Sequence, residues 1–380
     1  MMGAHSIRGR ATNMNDTQTQ VIEEEIGGLD RDEDSSLGDY PIDTLLIRNE
    51  SRTVHDVLRR IEKGTFIMDP DFQRDFIWKE DKQGKLIESV LMRIPLPVFY
   101  LAENQGGEMV VVDGLQRLST FQRYVNNEFA LKLPHQKELH NKKFDDLSPK
   151  LQNRIEDCNL ILYVIDAKVP VQALLDIFER VNSGIPLTRQ QMRNCLFSGQ
   201  ASKFLKREAN TDLFKKATGG SLDPNKMRDR EFINRFCAFQ LLGLDGYRGD
   251  MDDYLARSLE HMNELEASKL EKLSSEFRAS LKNNMTVFGK YSFRKHSRDT
   301  VKRSVINASL WDVMSTGLSR YPEHLVEARV ERLKDSFYEL LDDDEFSASI
   351  TLGTNQVNRV MARFAKTNEM LQEVFDDYAG

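Results

Sequence analysis

The stretch VVVDGLQRLSTF, from Val110 to Phe121, joins a β-branched run to a helical pattern through an acid and a glycine. The consecutive valines predict a buried strand, whereas Leu118 and Phe121 lie at the spacing of one helix face. Gly114 permits a tight turn between the two elements, because glycine accepts backbone conformations that a Cβ atom disfavours. We therefore predict that a strand ends at Asp113 and that a helix begins at Gly114.

This corner has the composition of an anion-binding site. The first amides of a helix have no partner within the helix, and the helix dipole favours a negative charge there. Arg117 places a positive charge near the positive end of the helix dipole, which is unfavourable unless an anion binds beside it. Its planar guanidinium is suited to binding phosphate oxygens. Asp113 could bind a divalent metal, orient a water molecule or fix the arginine, and Gln116 could position a water or a phosphate oxygen. The alternative is an Asp113–Arg117 ion pair that only pins the corner, and the spacing alone leaves both interpretations open.

On both sides of this strand–helix corner, strand and helix patterns alternate along the sequence from about residue 44 to residue 200. Four segments are predicted to be strands, namely TFIM (65–68), PVFYLA (97–102), EMVVVD (108–113) and NLILYVID (159–166). The turn ENQGG joins the second and third of these strands into a predicted hairpin. After about Gly199 strand signals nearly vanish and helical periodicity dominates. We expect an α+β protein with a flexible acidic arm, an α/β module and an all-helical domain at residues 1–43, 44–199 and 200–380.

The overall composition narrows the classes of protein to which the chain can belong. Its 380 residues are 40% apolar and carry a formal net charge of −7, so any nucleic-acid surface has to be a local patch. The three cysteines are widely spaced and lack a CxxC pair, and neither zinc nor haem is expected. The longest apolar run, Leu160 to Ile165, is too short for a membrane span, and the N-terminus lacks a secretory signal. We expect a cytoplasmic protein without a membrane partner.

Two further polar clusters accompany the corner. In PDFQRDFIW, Gln73 and Arg74 lie between aromatic residues, and such a pair could bind a base by stacking and its phosphates by charge. In FERVNSGIPLTRQQMRN, a helix ends at Arg180 and Asn182, which could face the same pocket, and Thr188 is a candidate N-cap for the next helix. The alternatives are core aromatics beside a solvated arginine, and a helix-stop turn at Asn182.

Together and in this order, the three clusters resemble the N-terminal domain family of GmrSD-type restriction endonucleases. The mark of that family is a DGQQR motif on a ParB/sulfiredoxin-like fold. The resemblance covers PxFQRxFxW at residues 70–78, DGLQRLSTF at 113–121 and FERVNSG at 178–184. It implies a pocket for a nucleoside triphosphate (ATP, GTP or CTP) with Mg²⁺, which the domain hydrolyses or senses. The usual setting of the family is modification-dependent restriction or another antiphage system.

The resemblance also assigns roles to individual residues. It implies a set of nucleotide-binding residues, which are Gln73, Arg74, Gly114, Arg117, Arg180 and Asn182. It implies catalysis by Asp113, Gln116 and Arg117, with Mg²⁺ held through Asp113. Leu115 stands where the family often has glutamine, which removes one polar side chain. Because no GxxxxGK[ST] pattern occurs in the sequence, the chain is not expected to be a P-loop enzyme.

Complete GmrSD-type nucleases cut DNA with a separate HNH-like region that has metal-binding histidines. The seven histidines of this chain do not form such a constellation, so a separate HNH-type nuclease subunit is an expected partner. DNA is expected as a further partner, and a homo-oligomer stays open.

A second region, KYSFRKHSRDTVKR, is the best local candidate for contacting nucleic acid. Its cations are Arg294, Lys295, Arg298, Lys302 and Arg303. A solvated basic helix start explains them equally well. Two other functions stay open beside the NTPase, namely a non-catalytic DNA-binding or scaffolding module and a DNA-nicking nuclease.

Overall fold

The computed structural model describes residues 26–27, 46–68, 78–104, 106–181 and 188–376. Five strands within these ranges form one mixed sheet in the order β1-β5-β3-β4-β2. The strands are β1 (Ile47–Thr53), β2 (Phe66–Ile67), β3 (Phe99–Glu103), β4 (Met109–Asp113) and β5 (Asn159–Ile165). The β3–β4 and β1–β5 pairs are antiparallel, whereas β2 pairs with β4 and β3 with β5 in parallel. The predicted hairpin is therefore confirmed.

Helices cover the two faces of this sheet. They are α1 (Val54–Glu62), α2 (Glu80–Leu91), α3 (Leu115–Val125), α4 (Pro149–Glu156), α5 (Val171–Val181) and α6 (Arg189–Leu196). Successive side chains of a strand point to opposite faces, so the sheet supports two separate cores. On β4, Val111 packs in one core with α1, α2 and α3, while Val112 packs in the other with α5 and α6.

The second half of the described chain is helical, as predicted. Its helices are α7 (Gln200–Ala209), α8 (Asp212–Thr218), α9 (Arg228–Leu241), α10 (Met251–Glu264), α11 (Ala267–Phe288), α12 (Ala308–Leu318), α13 (Glu323–Ala328), α14 (Val330–Asp342), α15 (Asp344–Ser349) and α16 (Val357–Val374). They enclose a third core that runs from Ala201 to Phe375, with Trp311 fully buried inside it. The α+β class is thus confirmed, whereas the ParB/sulfiredoxin-like fold and the exact domain limits stay predictions. No helix among these described ranges has both the length and the apolarity to cross a membrane.

Most of the predicted acidic arm lies outside the described residues, but Ile26 and Gly27 contact the helical half. The Gly27 amide donates to the Ile306 carbonyl at 2.8 Å, and the Ala308 amide donates to the Gly27 carbonyl at 2.8 Å. Ile26 packs against the helical core. This part of the arm is therefore attached to the folded body.

Candidate functional site

The candidate site lies at the sheet edge where β2 and β4 end. Ile67 pairs in parallel with Val110, so both strands leave the sheet toward the same edge. The segment after β2 carries Gln73 and Arg74, and residues 69–77 lie outside the described residues. The pairing of β2 with β4 therefore directs Met68, the last described residue before that segment, toward the edge where β4 ends at Asp113.

The other end of that segment is fixed by the motif glutamine. The Trp78 amide donates to Oε1 of Gln116 at 3.0 Å. The Trp78 carbonyl accepts from Nε2 of Gln83 at 2.6 Å, and Gln83 is 2% exposed. Sequence reasoning missed Gln83, whose signal was a polar residue within the apolar pattern of α2. A hydrogen bond therefore joins the end of the PDFQRDFIW cluster directly to the DGLQR cluster.

Gly114 makes the turn that the sequence predicts. Its φ angle is +100°, and an added Cβ atom would lie 2.2 Å from Cδ1 of Phe99. Both the conformation and the contact require glycine. Helix α3 begins directly afterwards, with no acid in its first turn and with no side-chain cap among the described residues. Its first amides therefore remain donors at this edge.

Arg117 is buried at the corner, with 7% of its surface exposed. Its guanidinium donates to the carbonyl of Val98 at 3.0 Å, to the carbonyl of Pro97, and to Oδ2 of Asp113 at 2.8 Å. The group also lies 4.1 Å from the ring centroid of Phe99. Burial lowers the pKa of Arg117, and the charge of Asp113 opposes that shift.

These contacts mean that Arg117 fastens the start of β3 to the end of β4. The ion pair with Asp113, which was the alternative interpretation of the motif, is therefore present. A role for Arg117 in binding nucleotide stays a prediction, and the geometry gives it a way to act by positioning Asp113. The Asp113 side chain is 33% exposed, so its carboxylate can reach a ligand in solvent.

The metal ligands that the described residues offer at the corner are few. Among the described residues, no three His, Cys, Asp or Glu side chains form a group that could hold a metal ion. Mg²⁺ commonly takes one or two carboxylates and completes its shell with phosphate and water. Asp113 alone therefore fits a Mg²⁺ ion that arrives with a nucleotide, and this contact stays a prediction.

The third cluster is described only in part. Arg180 is exposed in the last turn of α5, and no hydrogen bond or ion pair within the described ranges joins it to Asp113. Asn182 lies outside the described residues. Thr188 caps α6 by accepting from the Gln191 amide at 3.2 Å, which confirms the predicted N-cap.

The predicted nucleic-acid segment requires a correction. Arg294 is 1% exposed and donates to the Thr218 carbonyl at 2.8 Å and to Oγ of Ser221 at 2.7 Å. It is therefore a buried structural residue and not part of a surface that DNA could contact. Arg303 also donates to Oγ of Ser221, at 3.1 Å.

The other cations of this segment differ in their contacts. Nζ of Lys295 donates to Oγ1 of Thr351 at 2.6 Å, and Arg298 pairs with Asp335 at 2.5 Å. Lys302 is exposed. Several charges that are dense along the sequence therefore bind groups of the helical half. Contacts of Lys295, Arg298, Lys302 and Arg303 with nucleic acid stay predictions.

Comparison with protein families gives one match to this part of the chain. Residues 54–198 match the family described as GmrSD restriction endonuclease, N-terminal domain. The matched segment begins with α1 and ends just after α6, so it contains all three clusters. No curated protein matches the chain, and no solved structure does.

Proposed function

We propose that the chain is a nucleotide-dependent component of a DNA restriction system, because residues 54–198 match the family described as GmrSD restriction endonuclease, N-terminal domain. The proposed activity is binding and hydrolysis of a nucleoside triphosphate at the corner formed by Asp113 and Gly114. The nucleotide state would then regulate cleavage by a separate nuclease subunit. A ParB/sulfiredoxin-like fold and a cytoplasmic location are parts of the same proposal.

The hydrogen bond between Gln116 and the Trp78 amide is the observation that carries this proposal. It ties one end of the segment that contains Gln73 and Arg74 to the first turn of α3. The other end leaves β2 toward the same sheet edge. The described residues on either side of residues 69–77 therefore both belong to the side of the sheet where the first amides of α3 attract phosphate, and we propose that Arg74 adds its charge there.

Each group at the corner has a distinct chemical task in the proposed reaction. The α3 amides and Arg74 would bind the phosphates, and Asp113 would hold Mg²⁺ or orient the attacking water. Arg117 would keep the Asp113 carboxylate in place through its 2.8 Å contact. Phosphoryl transfer needs mainly positioning and charge stabilisation, which such a corner supplies.

Two variants test the assignment, each studied with ATP, GTP and CTP in the presence of Mg²⁺. Arg74→Ala is expected to weaken nucleotide binding in calorimetry about 10-fold or more, because a charged phosphate contact is lost. Asp113→Asn keeps an acceptor for Arg117 and should leave binding intact, while phosphate release falls about 100-fold or more.

Asp166→Asn is the matched control for Asp113. Asp166 follows β5 at the opposite sheet edge, and its side chain is 30% exposed. The control should hydrolyse nucleotide at the wild-type rate. Wild-type turnover in both test variants, or the absence of nucleotide binding by the wild-type protein, would refute the proposal.

A second candidate function is a non-catalytic scaffolding or DNA-binding module. The observation that favours it is that Arg117 directs several of its donors to main-chain carbonyls and to Asp113. A shift in melting temperature with nucleotide and Mg²⁺ separates the two functions, because only a ligand of the folded state raises it. A salt-sensitive retention of DNA without any such shift supports the second function.

A further inference from the structure

A solvent-facing cleft of about 470 Å³ lies between the end of α2, the start of β5 and helix α4. Its wall includes the apolar residues Ile94 and Leu96. The cleft is separate from the corner at Asp113, although Leu96 directly precedes Pro97, whose carbonyl accepts from Arg117. Nothing in the proposed nucleotide site uses this cleft.

The charged residues of the cleft are mainly basic. Arg93, Lys150 and Arg154 line it together with a single acid, Asp157. Arg93 and Lys150 are exposed, and within the described ranges neither side chain pairs with a carboxylate. The cleft therefore carries a local positive charge on a protein whose net charge is −7.

The positions of two of these cations oppose ordinary structural preferences. Arg93 has a φ angle of +61°, a conformation that non-glycine residues rarely adopt. Lys150 lies in the first turn of α4, where the helix dipole disfavours a cation. An anion in the cleft would relieve the unfavourable position of Lys150.

Arg154 adds a third cation to the cleft. Its Nη1 donates to the carbonyl of Leu91 at 2.9 Å, which fixes the guanidinium between α2 and α4. This contact is to a neutral carbonyl, so the positive charge of Arg154 adds to that of Arg93 and Lys150.

We propose that this cleft binds the sugar–phosphate backbone of DNA, with Arg93 and Lys150 contacting phosphates. Arg93 and Lys150, which pair with no carboxylate within the part of the chain that the structure describes, match the phosphate contacts that dominate DNA affinity. Met92 and Ile94 are 57% and 47% exposed beside Arg93, and in this proposal they contact the sugars of the bound strand. Because residues 54–198 match a restriction endonuclease family, DNA is the macromolecule to test.

The test uses the full chain and a fluorescein-labelled duplex of about 20 base pairs, without nucleotide, in an anisotropy titration. The double variant Arg93→Ala/Lys150→Ala is expected to bind the duplex at least 10-fold more weakly than the wild type. The slope of log K against log salt should become shallower by about 2, because two phosphate contacts are lost.

The matched control is Lys63→Ala/Lys168→Ala, which removes the same charge from exposed residues elsewhere. Lys63 directly follows the last residue of α1, and Lys168 follows β5 at the sheet edge opposite to the one where β4 ends. The control should bind the duplex within about 2-fold of the wild type, since surface changes away from a site have small effects. Equal weakening in both double variants would show a general charge effect and would overturn the proposal.

Three further results would also overturn the proposal. The first is a wild-type protein that does not bind the duplex, and the second is a cleft variant that binds it unchanged. The third is a cleft variant that loses binding of ATP, GTP or CTP but keeps DNA, which would assign the cleft to a free nucleotide. Because the DNA titration contains no nucleotide, its result does not depend on whether the corner hydrolyses NTP.

Discussion

Nη2 of Arg117 lies 2.8 Å from Oδ2 of Asp113, and the same guanidinium donates to the main chain of Pro97 and Val98. The motif arginine is therefore bound to the motif acid and to the strand beside it. This arrangement makes the corner rigid before any ligand arrives, because a planar fork fixes several acceptors at once. A catalytic carboxylate benefits from such support, since its geometry is set in advance.

Arg117→Lys tests this support. Lysine keeps the charge but cannot reproduce the forked contacts, so we expect a loss of about 1–3 kcal/mol in the free energy of unfolding. Urea unfolding measures the change. Arg123→Lys on the same helix is the control, because Arg123 is 29% exposed and should change stability by about 0.5 kcal/mol or less. Equal effects at the two positions would contradict the contacts described for Arg117.

Gly114→Ala tests the close approach at the start of α3. The added methyl group would lie 2.2 Å from a ring atom of Phe99, at a φ angle of +100°. We expect a loss of about 2–4 kcal/mol, in which overpacking adds to backbone strain. At Gly64 the φ angle is +72°, but an added methyl group would meet no atom within 4 Å. Gly64→Ala should therefore lower the free energy of unfolding by only about 1 kcal/mol. Thermal or urea unfolding measures both variants, and an equal loss at the two glycines would mean that the contact with Phe99 does not contribute.

The sequence predicted the central elements because their patterns are strong. The valines before Asp113 and the glycine after it specify a strand and a turn, and the structure confirms both. Strand β1 was missed because IRNESRT is polar, and an edge strand with one face in solvent needs few apolar residues. Helix α4 was also missed, since its eight residues bury only Ile155.

The roles of charged residues were harder to predict, because a sequence does not reveal their acceptors. Arg294 and Arg117 both stand in polar motifs, yet both are buried and donate to main-chain carbonyls. Such carbonyls come from distant segments, so neither composition nor spacing identifies them. The cleft was not predicted either, because Arg93 follows α2 whereas Lys150 and Arg154 lie on α4, more than 50 residues later in the sequence.

Asp252→Ala tests how the sheet module and the helical half are joined. Asp252 at the start of α10 accepts from Arg189 at 2.8 Å and also from Arg193, both on α6. The Arg193 side chain is 1% exposed, so removing the carboxylate strips a buried cation of its counter-ion. We expect a loss of about 3–5 kcal/mol in urea unfolding.

The neighbouring Asp253 provides the control for this change. Its side chain is 40% exposed and pairs with Arg257 one turn later on the same helix. Asp253→Ala should therefore cost about 0.5 kcal/mol or less, as exposed helix pairs do. If Asp252→Ala were equally mild, the ion pairs of α6 would not stabilise the junction between the two halves.

His296 should make stability depend on pH. Burial lowers the pKa of His296, which is 9% exposed and stacks on Tyr291 with a centroid separation of 5.1 Å. The unfolded chain therefore binds a proton more readily, and stability rises with pH through this range. The contribution of neutral His296 is complete above about pH 6.5, the unfolded value, and is lost as the pH falls toward the folded pKa.

We expect His296→Gln to lower stability at pH 8, because the ring packing is lost. The variant should also lose less stability than the wild type as the pH falls from about 7.5 to 5. Urea midpoints across this range give the slope. The exposed His324 offers a control, and His324→Gln should follow the wild-type slope. Since carboxylates also contribute to acid unfolding, the difference between the two variants is the informative quantity. Parallel curves for both variants would mean that protonation of His296 is not coupled to folding.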